Sequence, residues 1–127
     1  MNVDSHMDTI PLGMTKEETK LQFFFKIFGD KSKFRIVLHL AKGEECVCVI
    51  AEKLGLDQTL VSHHLNTLRD ANLIQDRKIG TWVHCSLNKK TFDEMEKLYQ
   101  KLLTSKNISD KLCASHEICR SLIKEKL

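Results

Sequence analysis

Five cysteines stand in this chain, at positions 46, 48, 85, 113 and 119. An odd number in a chain without an export signal argues against a disulfide framework and for reduced thiols, which pack, react or bind metal. Cys46 and Cys48 flank Val47. On a regular helix, residues two apart point about 200° apart, so this pair can hold one ion only if that turn is unwound. Thiolates favour soft ions such as Cd(II), Pb(II), Zn(II) or trivalent arsenic over Ca(II) and Mg(II). The competing reading is two small packed thiols. Cys113, His116 and Cys119 span about 120° of a helical face, enough to cooperate on one ion. His116 and Cys119 also share a stripe with Leu112 and Ile123, which suits a core equally well. Cys85 alternates with Val83 and Leu87, and packing explains it better.

A second group of side chains has the chemistry of nucleic-acid contact. Thr59, Ser62, His63 and Asn66 fall at i, i+3, i+4 and i+7, with Gln58 just ahead of them and Val61, Leu65 and Leu68 on the opposite side. Short polar donors and acceptors on one helical face can reach base edges or phosphates in a major groove. A solvated face has the same pattern. Arg77 and Lys78, beside Gly80, add cations that can reach phosphates. His64 projects toward Leu60, Val61 and Leu68 and is expected to pack rather than read.

The elements that must position these residues follow from periodicity. Residues 1 to 14 show none and are read as a flexible leader outside the fold, with 15 to 127 as a single domain. Thr15 and Glu18 form a capping-box pattern ahead of Leu21, Phe24, Phe25 and Phe28. Gly29 ends this first helix, Asp30 caps a second, and Phe34, Val37, Leu38 and Ala41 form its stripe. A short third helix is expected from about Cys46 to Leu54, with Val47, Ile50, Ala51 and Leu54 inward. Only Gly55, Leu56 and Asp57 separate it from the polar-faced fourth, a helix-turn-helix spacing. The period then changes to two over Leu73 to Ile79 and Thr81 to Leu87, a hairpin around Gly80. Asn88 opens a longer helix with Phe92, Met95, Tyr99 and Leu102 on one face, and Ser109 or Asp110 opens a last one. The expected fold is mainly α with a small β-hairpin wing, in the order α-α-α-α-β-β-α with a further C-terminal helix.

Composition sets bounds on function. The 127 residues carry 20 basic and 17 acidic side chains, a net charge of +3 that permits nucleic-acid binding without arguing for it. No apolar run is long enough to span a bilayer, no signal sequence stands at the N-terminus, and a cytoplasmic location is expected. No glycine-rich phosphate loop or triad motif suggests an enzyme.

From Glu44 to Leu87 the sequence resembles the ArsR/SmtB family of metal-responsive repressors. E-C-V-C-V-I-A at 45–51 is similar to that family's cysteine-bearing helix. L-V-S-H-H-L-N-T-L-R-D-A-N-L-I at 60–74 resembles its recognition helix and exit, and W-V-H-C-S-L-N at 82–88 the end of its wing. The resemblance implies a homodimer joined through the first and last helices, bound to a two-fold symmetric duplex operator and released by an inducer. Gln58, Thr59, Ser62 and His63 then become candidate operator contacts, and Cys46 and Cys48 candidate ligands.

Two departures bear on the ligand set. Arsenic sensors of the family often carry a third cysteine where Ala51 stands, and cadmium or lead sensors often draw thiols from an N-terminal arm, whereas residues 1 to 43 have none. Cys113 or Cys119 can complete the Cys46/Cys48 site or form a separate one. The family's zinc site on the helix after the wing is expected to be absent, since Lys89, Lys90, Thr91 and Phe92 stand there. A thiol-redox or persulfide sensor of the same fold is the main alternative. A metal buffer is a more distant one, because it would leave the polar helix face and the basic hairpin idle.

Overall fold

A computed structural model describes residues 13–104. Residues 1 to 12 of the expected leader, and the last helix with Cys113, His116 and Cys119, lie outside the described residues.

Helix α1 (Lys16–Phe28) starts at a reciprocal capping box. The Thr15 hydroxyl accepts from the Glu18 amide at 3.1 Å while the Glu18 carboxylate accepts from the Thr15 amide at 2.9 Å. Leu21, Phe24 and Ile27 are its buried stripe, and Phe25, expected among them, points outward. Asp30 caps α2 (Lys31–Leu40) by accepting from the Lys33 amide at 2.9 Å. The expected stripe of α2 is corrected. Val37 is buried, but its companions are Ile36 and Leu40, while Phe34, Leu38 and Ala41 are exposed. Between Phe34 and Ala41 only Arg35 and His39 are polar, so overlapping apolar stripes compete. Tertiary anchoring decides between them: Arg35 donates to the Leu54 carbonyl at 2.7 Å, which sets the rotation of α2 against the next helix.

That helix, α3 (Val47–Leu54), is preceded by a two-residue strand, β1 (Glu45–Cys46), so it starts one residue after the Cys46 expected to open it. Ile50 and Ala51 are buried and Val47 and Leu54 half-buried, as the pattern indicates. Gly55 ends α3 at φ 64°, a left-handed conformation that glycine adopts without the steric cost of a Cβ. Asp57 caps α4 (Gln58–Asp70), accepting from the Leu60 amide at 3.1 Å. Val61, Leu65 and Leu68 face inward at no more than 1% exposure, so the helix-turn-helix pair is fixed by its own apolar faces. At its end Asn72 adopts φ 58°, and the Leu73 amide reaches back to the Leu68 carbonyl at 3.0 Å, turning the chain sharply into the wing.

Strands β2 (Ile74–Ile79) and β3 (Trp82–Leu87) form that wing, with Ile79 opposite Trp82 and Gly80 at φ 63° opening a two-residue turn. The sheet has three strands rather than the expected two, in the order β1-β3-β2, all antiparallel. Helix α5 (Lys89–Leu103) packs on α1, joined by Lys101–Glu17 at 2.7 Å and by Lys20–Glu94. Thr91 and Leu98 are its buried residues, with Phe92, Met95 and Leu102 packed against the core. Tyr99, expected on that face, is exposed. Ile36, Ile50, Val61, Leu65, Leu68, Leu73 and Cys85 are the most deeply buried large side chains. The core therefore lies where α2, α3 and α4 meet the inner face of the wing. Among the described residues no helix is long and apolar enough to cross a membrane.

Candidate DNA interface and thiol site

The outer face of α4 is built as its spacing predicts. Gln58, Thr59, Ser62, His63 and Asn66 are all exposed. Asn66 is oriented from behind: its side-chain oxygen accepts from Arg69 Nη1 at 2.6 Å, and Arg69 Nε pairs with Asp76 of β2 at 2.8 Å. Asn66 is thereby tied through Arg69 to the wing. His64 turns the other way and is buried, as its position among the apolar residues suggests. Its Nδ1 has no hydrogen-bond partner among the described residues, and burial, followed by the charge of Lys33, lowers its pKa below the ordinary imidazole value.

The two wing cations differ in their surroundings. Lys78 is exposed, next to the turn. Arg77 is exposed too, yet its guanidinium forks onto Glu44, with Nη2 2.6 Å from Oε1 and Nε 3.2 Å from Oε2. The same carboxylate lies 3.8 Å from His84 Nδ1. Hydrogen bonding to Arg77 is the first cause that holds the Glu44 carboxyl below its ordinary pKa. Two sequence neighbours of the cysteine pair thus bind other elements, because Glu45 accepts from Lys53 of α3 at 2.9 Å and sits 3.1 Å from His39 of α2. Those two contacts hold its carboxyl down to about 2. Glu44 and Glu45 do not stand out by periodicity or motif spacing. Two acids directly ahead of a cysteine pair were the available signal, but their partners lie up to 33 residues away.

The thiols themselves stand at the junction of β1 and α3. Cys46 is the N-cap of α3 with extended backbone (φ −66°, ψ 133°), so the helix begins only after it. The 200° divergence expected of a regular helix therefore does not apply. Cys46 is half-buried and Cys48 exposed, and the Cys48 thiol is pushed up first by a hydrogen bond with the Cys46 thiol. Cys46 thus lies just outside the regular helix that carries Cys48, without any unwinding of a turn. As donors they suit a thiophilic ion, but among the described residues no set of three or more His, Cys, Asp or Glu side chains is arranged to hold one. Cys85 is apart from them: fully buried, it donates to Asp76 at 3.2 Å, and burial pushes its thiol up to about 12. It packs, as its alternation implies.

β1 joins the thiol site to the wing. In the ladder Cys46 is the partner of His84 and Glu45 of Cys85, and on the other side of β3 Arg77 is the partner of His84. One row across the sheet thus runs from Cys46 through His84 to Arg77 of the wing.

Comparison with known proteins agrees with this architecture. The family model described as bacterial regulatory protein, arsR family, matches residues 30–76. The arsenical resistance operon repressor of Escherichia coli is 45% identical over 65 residues, covering 50% of this chain and 56% of that protein. Its counterpart from Bacillus subtilis is 38% identical over 77 residues, 58% of this chain and 73% of the relative. The solved structure of HlyU from Vibrio cholerae superposes with a TM-score of 0.58 at 25% identity, covering 72% of this chain and all (100%) of that one. For several curated relatives, the E. coli repressor among them, the match spans only 56% to 66% of their length. Helix-turn-helix, wing and cysteine-bearing junction occur here in one order, and the chain belongs to the arsR family of bacterial regulatory proteins.

Proposed function

We propose that this protein is a homodimeric transcriptional repressor that binds duplex DNA through α4 and the wing and releases it when a thiophilic ion binds Cys46 and Cys48. The observation that carries the reading is the junction itself. Cys46 stands on a strand paired with the wing, and Cys48 follows two residues later in the first turn of the first helix of the helix-turn-helix. Gln58, Thr59, Ser62, His63 and Asn66 face the major groove, and Arg77 and Lys78 the phosphates. The protein occupies the cytoplasm, and its operator has the two-fold symmetry of the dimer.

Arsenite, Cd(II), Pb(II) and Zn(II) are the inducer candidates, since both donors are thiolates. The relatives named as arsenical resistance repressors, and one named as an SmtB homolog in Synechocystis, support a metal or metalloid inducer. A third ligand comes from beyond the described segment, with Cys113, His116 and Cys119 as the donors available there. Dimerisation uses α1 and α5, where Phe25, Tyr99 and Leu103 are exposed apolar side chains on packed helices. Tight ligation must displace the proton of Cys48, so apparent ion affinity rises with pH.

The test is thiolate-to-metal absorption on adding Cd(II) to the reduced protein, read alongside binding to the DNA upstream of its own gene. The wild type is expected to show the band and bind the duplex. Cys46→Ser and Cys48→Ser are expected to lose most of the band while keeping DNA affinity, and Ser62→Ala with His63→Ala to do the reverse. An undiminished band in both cysteine variants would remove this site from the account. Release by persulfide but by no ion would replace metal sensing with thiol redox chemistry.

A further inference from the structure

Every nitrogen of the Arg69 guanidinium has a partner within the protein. Nη2 donates to Asp76 Oδ1 at 3.2 Å, Nε lies 2.8 Å from Asp76 Oδ2, and Nη1 donates to the side-chain oxygen of Asn66 at 2.6 Å. Asp76 is itself held from behind: the buried Cys85, its partner across the β2–β3 ladder, donates to the same Oδ1 at 3.2 Å. A chain of contacts thus runs from a thiol in the core, through a carboxylate and a guanidinium, to one exposed side chain of the α4 face.

Stability does not account for this chain. The side chains of Arg69 and Asp76 are 35% and 32% exposed, and an ion pair so open to water contributes little. Leu68, Leu73 and Cys85, all fully buried, already fix the wing against α4. Arg69 is no free cation for phosphate either, since Asp76 neutralises it. What the chain does set is Asn66. The planar fork of arginine fixes direction as well as charge, which a lysine ammonium in its place would not. Asparagine matches adenine by accepting from N6 with its oxygen and donating to N7 with its nitrogen. With that oxygen engaged in a charge-assisted bond to Arg69, the N–H groups are what Asn66 has to offer. Guanine, whose N7 and O6 are both acceptors, is their complement, whereas the N6 donor of adenine meets another donor.

We propose that Arg69 and Asp76 are positioning residues of DNA recognition, which hold Asn66 as a hydrogen-bond donor that selects guanine over adenine at one position of the operator. This role rests on the DNA-binding reading above and adds two residues that do not touch DNA themselves.

The test is competition anisotropy with the full-length reduced protein at fixed salt, on duplexes from upstream of its own gene in which each base pair is changed in turn, and on a scrambled duplex. Wild type is expected to favour guanine over adenine about tenfold at one position, and Asn66→Ala to lose that preference there alone. Arg69→Lys, and Arg69→Met combined with Asp76→Asn, are expected to lose most of the same preference. Both keep the net charge, so affinity for the scrambled duplex and the salt slope should stay those of wild type. Adding Asn66→Ala to the double substitution should cost nothing further, since one contact cannot be lost twice. Thermal melting checks the fold of each variant, and Arg69→Lys keeps the test open where the double substitution unfolds. If the guanine preference disappears in Asn66→Ala yet persists in both Arg69 variants, Asn66 needs no support, and the positioning role is wrong while the DNA reading stands. A salt slope lower by about 1 in the double substitution would make Arg69 a phosphate contact and overturn the role equally. So would a preference for adenine at the position set by Asn66, or a loss in Asn66→Ala spread evenly over all duplexes. If no duplex binds at all, the role and the DNA reading fall together.

Discussion

Cys85 and Cys48 both have raised thiol pKa values, for different reasons. Burial comes first at Cys85, which the core encloses completely, while at Cys48 the first cause is a hydrogen bond with Cys46 on an open surface. Brief alkylation of the reduced native protein at neutral pH, mapped by peptide mass spectrometry, should therefore modify Cys46 and Cys48 and reach Cys85 only after denaturation. His64 gives a second prediction at this scale. The unfolded imidazole takes its proton near the ordinary value of 6.5 while the buried one resists it. Stability from this residue is intact above pH 6.5 and is lost as pH falls below it, since the unfolded chain binds the proton first. Denaturant midpoints measured from pH 7 down to about pH 5 should fall in the wild type and flatten in His64→Leu. The carboxylates act lower still, because Glu45 loses its contribution only as pH drops from its ordinary 4.5 toward about 2.

Among the elements, β1 matters out of proportion to its two residues. It carries Cys46 beside the wing strand and positions Glu44 to hold Arg77, so one short segment touches both the thiol site and a cation of the proposed DNA surface. Glu44→Gln should free the Arg77 guanidinium for phosphate and remove a nearby like charge. The expected result is tighter duplex binding, with a salt slope steeper by about 1 in anisotropy titrations across ionic strength. Unchanged affinity and slope would show that Arg77 does not reach DNA. The sequence makes the helix-turn-helix legible because its caps and stripes are local: Asp57, Gly55 and the Val61, Leu65, Leu68 series act within a few residues. It makes the polar face of α4 legible for the same reason. β1 is invisible to such reading, since two residues show no alternation and their pairing partners are about 40 positions away. The stripes of α2 and α5 slip by one position where apolar residues crowd together. Leu98 rather than Tyr99 is buried, and Ile36 and Leu40 rather than Phe34 and Leu38, because contact with neighbouring helices chooses between overlapping faces.

Taken whole, the molecule places its core between the two surfaces to which the proposal assigns DNA binding and dimerisation. α4 and the wing present polar and cationic groups, α1 and α5 present Phe25, Tyr99 and Leu103, and the thiol pair sits at the joint between α2, α3 and the sheet. Lost packing between these elements would be costly: Leu68→Ala, at a fully buried position where α4 meets the core, should cost about 2–5 kcal/mol in denaturant unfolding. Under the proposed function, ligation at the joint would act by moving these elements against one another rather than by loosening the core. The measurement that tests this most directly is anisotropy of a labelled duplex from upstream of the gene, bound by reduced protein at fixed salt, during addition of arsenite, Cd(II), Pb(II) or Zn(II). The account predicts tight binding that at least one of these ions reverses, with the response abolished in Cys46→Ser and Cys48→Ser. Tight binding that none of them disturbs, or release that persists in both cysteine variants, would contradict it.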